Sequence, residues 1–168
     1  YLLSGFDCVP VTCDLTKGSF NKITFWALTN TRSLQTGQPA LHLSRQLLTV
    51  GRYVNPPWQF QKSGPTPFGC NPKLGADCHT PPVEANDVRM NQVIYSHGLL
   101  WSGINTGVGP GRRVGIEYFI VKPAAAAGGT ARAHVARSGY VSAPGENVSF
   151  PSVGVNATGH GVIAFSLM

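Results

Sequence analysis

The chain has 168 residues, enough for one domain with a real core, and only 12% of them are charged. Gly (20) and Pro (13) are abundant and apolar residues make up 42%, a balance that excludes ordinary disorder and suits strands joined by turns. The formal net charge of +6 comes from 13 basic and 7 acidic residues, with Arg112-Arg113 the one adjacent basic pair. A nucleic-acid-binding stripe is therefore excluded, and a mildly basic surface with weak attraction for acidic polymers is expected.

Tyr1-Leu2-Leu3 is too short for the apolar core of a secretory signal and has no basic leader. The chain begins without Met, so a processed or truncated product is expected. No run approaches the length of a membrane span. The cysteines form two close pairs in turn-rich sequence, Cys8 with Cys13 and Cys70 with Cys78. Neither pair has the compact spacing of a zinc site, and His79 is the one supporting ligand type beside them. Local disulfides are expected, and with them an oxidising location, extracellular or periplasmic. No histidine lies two or four residues from another, and neither a metal nor a cofactor is expected.

In chain order the strand signals begin with Lys22 to Thr29, then Ala40 to Val50, which runs on to Tyr53 and Pro56-Pro57. A Pro, Gly and Cys-rich insertion follows at about 58–86. Met90 to Tyr95, a turn at Ser96-His97-Gly98 and Leu99 to Ile104 read as a hairpin. Val114 to Val121 and Ala131 to Ser138 follow, and Ala124 to Ala127 between them, bracketed by Pro123 and Gly128-Gly129, is too short to nucleate a helix. The last hairpin is Phe150 to Val155, a turn over Asn156 to Gly161, and Val162 to Leu167.

The two hairpins starting at Met90 and Phe150 are copies about sixty residues apart. The strands at Lys22 and Ala40 have counterparts at Val114 and Ala131 roughly 90 residues later, and removing the insertion brings that spacing back to about sixty. Repeated hairpins at this period point to propeller blades or a related array. The expected architecture is one all-β domain, residues 1–168, of propeller-related antiparallel hairpins. Its eight or so strands, arranged two, four and two, make two blades' worth of material. Two blades cannot close a ring. The chain is therefore expected to belong to a larger parent, to self-associate, or to form a β-barrel or sandwich that protects its strand edges.

Phe25-Trp26-Ala27-Leu28-Thr29-Asn30-Thr31, Asn86 to Val93, Leu100 to Thr106, Gly139-Tyr140-Val141 and Phe150 to Asn156 together resemble a group of large, exported bacterial proteins with propeller-like, distantly sialidase-like repeats. The likeness covers most of the chain and implies an exported all-β protein that continues beyond both ends. It implies no activity residue by residue. Asn156-Ala157-Thr158-Gly159 with Phe165 is a loose echo of the Ser-x-Asp-x-Gly turn of sialidase propellers, with Asn in place of Asp. That turn is structural, and fold-level analogy carries no catalytic residue.

Catalytic candidates are few. Ser96 and His97 suggest a nucleophile and base, but neighbours on extended chain point to opposite faces, so a polar turn is expected. Ser96 would otherwise need His134 or His160 from elsewhere in the fold, with Asp87 as the acid. A glycosidase needs two facing carboxyls. Glu117 is the most interesting acid, because burial inside its apolar strand would raise its pKa and suit it to proton donation. An alternating strand instead predicts Glu117 facing outward or paired with Arg113. Tyr118 follows it, on the opposite face. For binding, Trp58 after Pro56-Pro57, flanked by Tyr53 and Phe60, offers an aromatic surface for a glycan or cell-surface ligand. Trp26 and Trp101 are expected in the core. Asn147-Val148-Ser149 and Asn156-Ala157-Thr158 fit the glycosylation pattern and are read as turn residues. The leading expectation is a binding or scaffolding module, with a hydrolase of glycans or esters as the alternative.

The cysteine reading is checked directly. Each short loop should add about 2–3 kcal/mol by restricting the unfolded chain. Alkylation without reductant, followed by mass spectrometry, should find Cys8, Cys13, Cys70 and Cys78 all unlabelled.

Overall fold

Alternating apolar residues, β-branched side chains and Gly-rich turns build antiparallel sheets throughout the computed structural model, which describes residues 1–5, 19–59, 82–110, 113–124, 130 and 132–168. The four cysteines and Phe60 lie outside those residues. A three-stranded sheet contains β1 (Leu2–Ser4), β2 (Ser19–Thr29) and β3 (His42–Val54) in that order. A four-stranded meander contains β4 (Val93–Ser96), β5 (Leu99–Val108), β6 (Arg113–Ala124) and β7 (Arg132–Val141). A separate hairpin pairs β8 (Val148–Val155) with β9 (Gly161–Leu167). All pairings are antiparallel. The eight expected strands are present, joined by β1, too short for a sequence pattern to announce. The described strands close no barrel.

Hydrophobic burial stacks these sheets in layers. Ile23, Phe25 and Ala27 of β2 and Leu48 of β3 share one core with Leu100 and Ile104 of β5, Phe119 and Val121 of β6, and Ala133 of β7. The four-stranded sheet is thus the middle layer, covered on its other face by the β8–β9 hairpin. Val114 and Ile116 of β6 point to that second face and are fully buried beneath the hairpin. Such stacking is common to sandwiches and to neighbouring propeller blades. The bases of the expected insertion meet where Gln59 and Val83 exchange backbone hydrogen bonds of 2.8 Å.

Two turns do what their residues allow. His97 and Gly98 both have positive φ, 52° and 73°, giving the primed hairpin turn whose twist matches its strands. Phe150, at φ 55°, marks a register shift in β8, and its N–H donates to Asn105 Oδ1 at 2.8 Å. Asn105 in turn donates from Nδ2 to the Ala85 carbonyl at 2.7 Å, so one buried amide joins β5, β8 and the loop before β4.

A third irregularity sets which side chains face which layer. Ile120 pairs with Arg137 and Val121 with Val135, leaving Ala136 unpaired in β7. Before this bulge Ala133 and Val135 face the shared core. After it the parity reverses, so Ser138 and Tyr140 lie on the β3 side of the sheet, both exposed, while Arg137, Gly139 and Val141 lie on the hairpin side. Deleting Ala136 would join Val135 directly to Arg137 and keep their pairings with Val121 and Ile120, so Arg137 would stay on the outer face. The deletion should leave urea unfolding cooperative and cost about 2 kcal/mol or less, and Ala136→Ser should change stability by less than about 1 kcal/mol.

Candidate functional site

The outer face of the middle sheet is laid out in cross-strand rows. One row holds Trp101, Ile120 and Arg137; the next holds Gly103, Tyr118 and Gly139; the third holds Asn105, Ile116 and Val141. The β8–β9 hairpin covers the third row and meets Trp101 of the first at Gly161, while Tyr118 and Ile120 stay half-buried. What remains is a crevice of about 230 Å³ between the sheet and Val153, Val162 and Ile163 of the hairpin.

Glycines make the room. A Cβ on Gly139 would lie 2.9 Å from the Tyr118 hydroxyl and Cε1, so the phenol lies across β7 only because that position is Gly. A Cβ on Gly161 would lie 2.7 Å from the Trp101 ring, which stands against β9. A strand glycine is often the mark of such a close approach. Trp101 is thus a half-buried wall of this crevice and not part of the shared core. Its indole nitrogen is buried with no hydrogen-bond partner among the described residues, and it is the benzo edge of the ring that meets β9. Trp26 also departs from the core expectation: it lies on the outer face of the first sheet, donates from Nε1 to Ser4 Oγ at 3.0 Å, and carries the Arg45 guanidinium 5.9 Å from its ring centroid.

Glu117 is neither outward-facing nor paired with Arg113. Its residue is 0% exposed, because Ile104 and Tyr140 opposite it share the face turned toward β3. A Cβ on Gly51 would lie 2.6 Å from Glu117 Oε1 and would also collide with the Tyr140 hydroxyl, so Gly51 admits both groups. The hydroxyl donates to the Arg52 carbonyl at 2.7 Å. Burial pushes the Glu117 carboxyl up to about 7, partly offset by the Gly51 amide, although neither carboxyl oxygen completes a hydrogen bond of regular geometry. No second carboxylate contributes to that shift. A carboxyl of raised pKa, as proton donation would need, is present, but it is sealed between two sheets and fully buried. Tyr118 points to the other face, as its place next to Glu117 requires.

Ser96 and His97 correct the other expectation. The hairpin turn lets Ser96 Oγ lie 2.9 Å from His97 Nδ1, and His97 Nε2 lies 2.9 Å from the Ala157 carbonyl. That carbonyl can only accept, so Nε2 carries the proton and Nδ1 accepts from the serine hydroxyl. Opposite-face alternation holds along a strand and fails at its turn. His160 instead lies 2.8 Å from Thr158 Oγ1 inside a turn organised by Asn156 Oδ1, which accepts from Thr158 and His160. His134 is exposed on β7. Asp87 binds Arg89 Nε at 2.6 Å; burial alone would raise its pKa, but the hydrogen bonds and charge of Arg89 hold it below the usual value. It is not joined to the Ser96–His97 pair.

Of the aromatic binding candidates, Trp58 is 58% exposed, as its position after Pro56-Pro57 suggested. Tyr53 is a correction. It is fully buried in the core, its ring 5.6 Å from that of Phe20 and its hydroxyl donating to the Lys22 carbonyl at 2.6 Å. The register shift between β2 and β3 turns it inward. Among the described residues there is no cluster of metal-ligating side chains, and no helix is long and apolar enough to cross a membrane. No protein-family model matches the chain, and comparison with curated proteins and solved structures finds no match.

Glu117 makes stability depend on pH in a defined direction. Its folded value of about 7 lies above the ordinary 4.5, so its contribution is complete below the lower value and is lost as pH rises through the upper one. Glu117→Gln should leave stability at ~pH 4 nearly unchanged and raise it at ~pH 8 by roughly 3 kcal/mol or less. Urea midpoints at the two pH values check this; a gain at the acid end would contradict it.

Proposed function

We propose that this chain is an extracellular binding module, directed at a glycan or cell-surface ligand, with the crevice between the middle sheet and the β8–β9 hairpin as its site. The observation that carries this reading is the crevice itself, a concave space of about 230 Å³ walled by Trp101, Tyr118 and aliphatic side chains. The buried position of Glu117 supports binding over acid-catalysed glycoside cleavage. Trp58 provides a separate exposed aromatic surface and does not line the crevice.

A hydrolase acting on an ester or glycan is the second reading, favoured by the Ser96–His97 hydrogen bond with the imidazole oriented by a backbone carbonyl. That pair sits on an exposed hairpin turn, and the crevice residues do not include it.

Binding of the labelled protein to a glycan array and to bacterial cell surfaces tests the first reading. Tyr118→Ala should weaken the strongest signal about tenfold or more, and Trp58→Ala should weaken it little. The reverse result would move the site to the Trp58 surface. Turnover of a chromogenic ester or glycoside panel, lost in Ser96→Ala, would replace the binding reading with the hydrolase.

A further inference from the structure

The crevice also has a chemical bias. The Ala136 bulge turns Arg137 out of the core and onto the crevice wall, where its guanidinium has no ion pair or hydrogen bond among the described residues. The Tyr118 hydroxyl lies over Gly139, two positions along β7 from Arg137 on the same face, and likewise makes no hydrogen bond among the described residues. Both donors thus belong to residues that line the space. Among the described residues no acid lines it; Ile120 stands beside Arg137 in the same row, and the facing wall is Val153, Val162 and Ile163 of the hairpin.

We propose that this crevice binds a compact monocarboxylate whose body is a single apolar ring. The assignment rests on the binding-module reading and, of its two ligand classes, takes a cell-surface ligand other than a sugar. A carboxylate matches the planar fork of one guanidinium and can accept in addition from a phenol. A phosphate or sulfate would leave acceptors unmatched by so few donors. Size agrees as well: an apolar cavity of about 150 Å³ accommodates benzene, so 230 Å³ holds a six-membered ring with room for its carboxylate. The aliphatic walls supply no partners for the hydroxyls of a sugar, which favours an apolar ring over an acidic sugar.

The test uses the full chain and four named probes, cyclohexanecarboxylate and glucuronate with their neutral counterparts cyclohexanecarboxamide and glucose, titrated calorimetrically. Cyclohexanecarboxylate should bind at least tenfold more tightly than its amide, and raising the salt should erode that preference. Arg137→Gln should remove the preference while leaving amide binding unchanged, and Tyr118→Phe should reduce acid binding about threefold. Both substitutions lie on a partly exposed face, and unchanged urea midpoints would show that the fold persists. Equal binding of acid and amide, or an acid preference that survives Arg137→Gln, overturns the ligand class and leaves the crevice as a site. Tighter binding of glucuronate than of cyclohexanecarboxylate overturns the apolar ring in favour of an acidic sugar. Failure of all four probes at concentrations up to ~10 mM overturns the assignment, while the binding-module reading is judged separately by the array.

Discussion

One unpaired residue in β7 decides which side chains of that strand face the crevice and which face β3. Were Ala136 paired in regular register, the alternation that turns Ala133 and Val135 toward β3 would turn Arg137 that way too. Arg137 would then lie opposite Phe119, in the exposed place that Ser138 holds, and the crevice would lose its cation. With the bulge, one strand serves both faces: Tyr140 turns inward to Gly51 and Glu117, and Arg137 turns outward to the crevice. The phenol beside Glu117 and the cation on the outer face both depend on how that one residue is accommodated.

The β8–β9 hairpin depends on a second set of constraints. A two-stranded sheet is marginal alone, and here side-chain amides fasten it to its neighbours. Gln92 Oε1 accepts from the Val153 N–H at 2.8 Å, Asn105 Oδ1 from Phe150, and Asn147 Oδ1 from the Val114 N–H at 3.1 Å. His97 ties the two hairpin tips together through the Ala157 carbonyl. These bonds hold the hairpin over Val114 and Ile116 and leave Tyr118 and Ile120 half-uncovered, which is how a layered packing comes to contain a crevice. β9 carries no charged residue and leaves Val162 and Leu167 exposed, in keeping with the open edge expected from the strand count.

The candidate sites show where local reasoning stops. Trp58 was legible because two prolines force an extended, outward-leaning segment, and its exposure follows. The same reasoning placed Tyr53 beside it, and the register shift between β2 and β3 took that ring inward. Ser96 and His97 were separated by an argument that is sound for extended chain; the positive φ at His97 ends its validity at the turn. Arg137 gave no signal, since a lone arginine in a strand reads as a solvated charge. Gly139 was the clue available, a glycine inside a strand pattern beside Tyr140, but only the pairing with β6 reveals that Tyr118 lies across it.

The sequence by itself determined the all-β class, the antiparallel hairpins and the strands longer than β1. Apolar alternation and Gly, Asn and Pro punctuation are local properties, and each strand writes its own. It also determined that Glu117 and Tyr118 occupy opposite faces. Which face is buried, and against what, was settled only by tertiary structure. Bulges leave no mark in a single strand's pattern, because they are mismatches between two strands, and each one reverses the side-chain parity beyond it. Tyr140 beside Glu117 and Arg137 on the crevice wall both owe their faces to that reversal, so no reading of one strand at a time could have placed them.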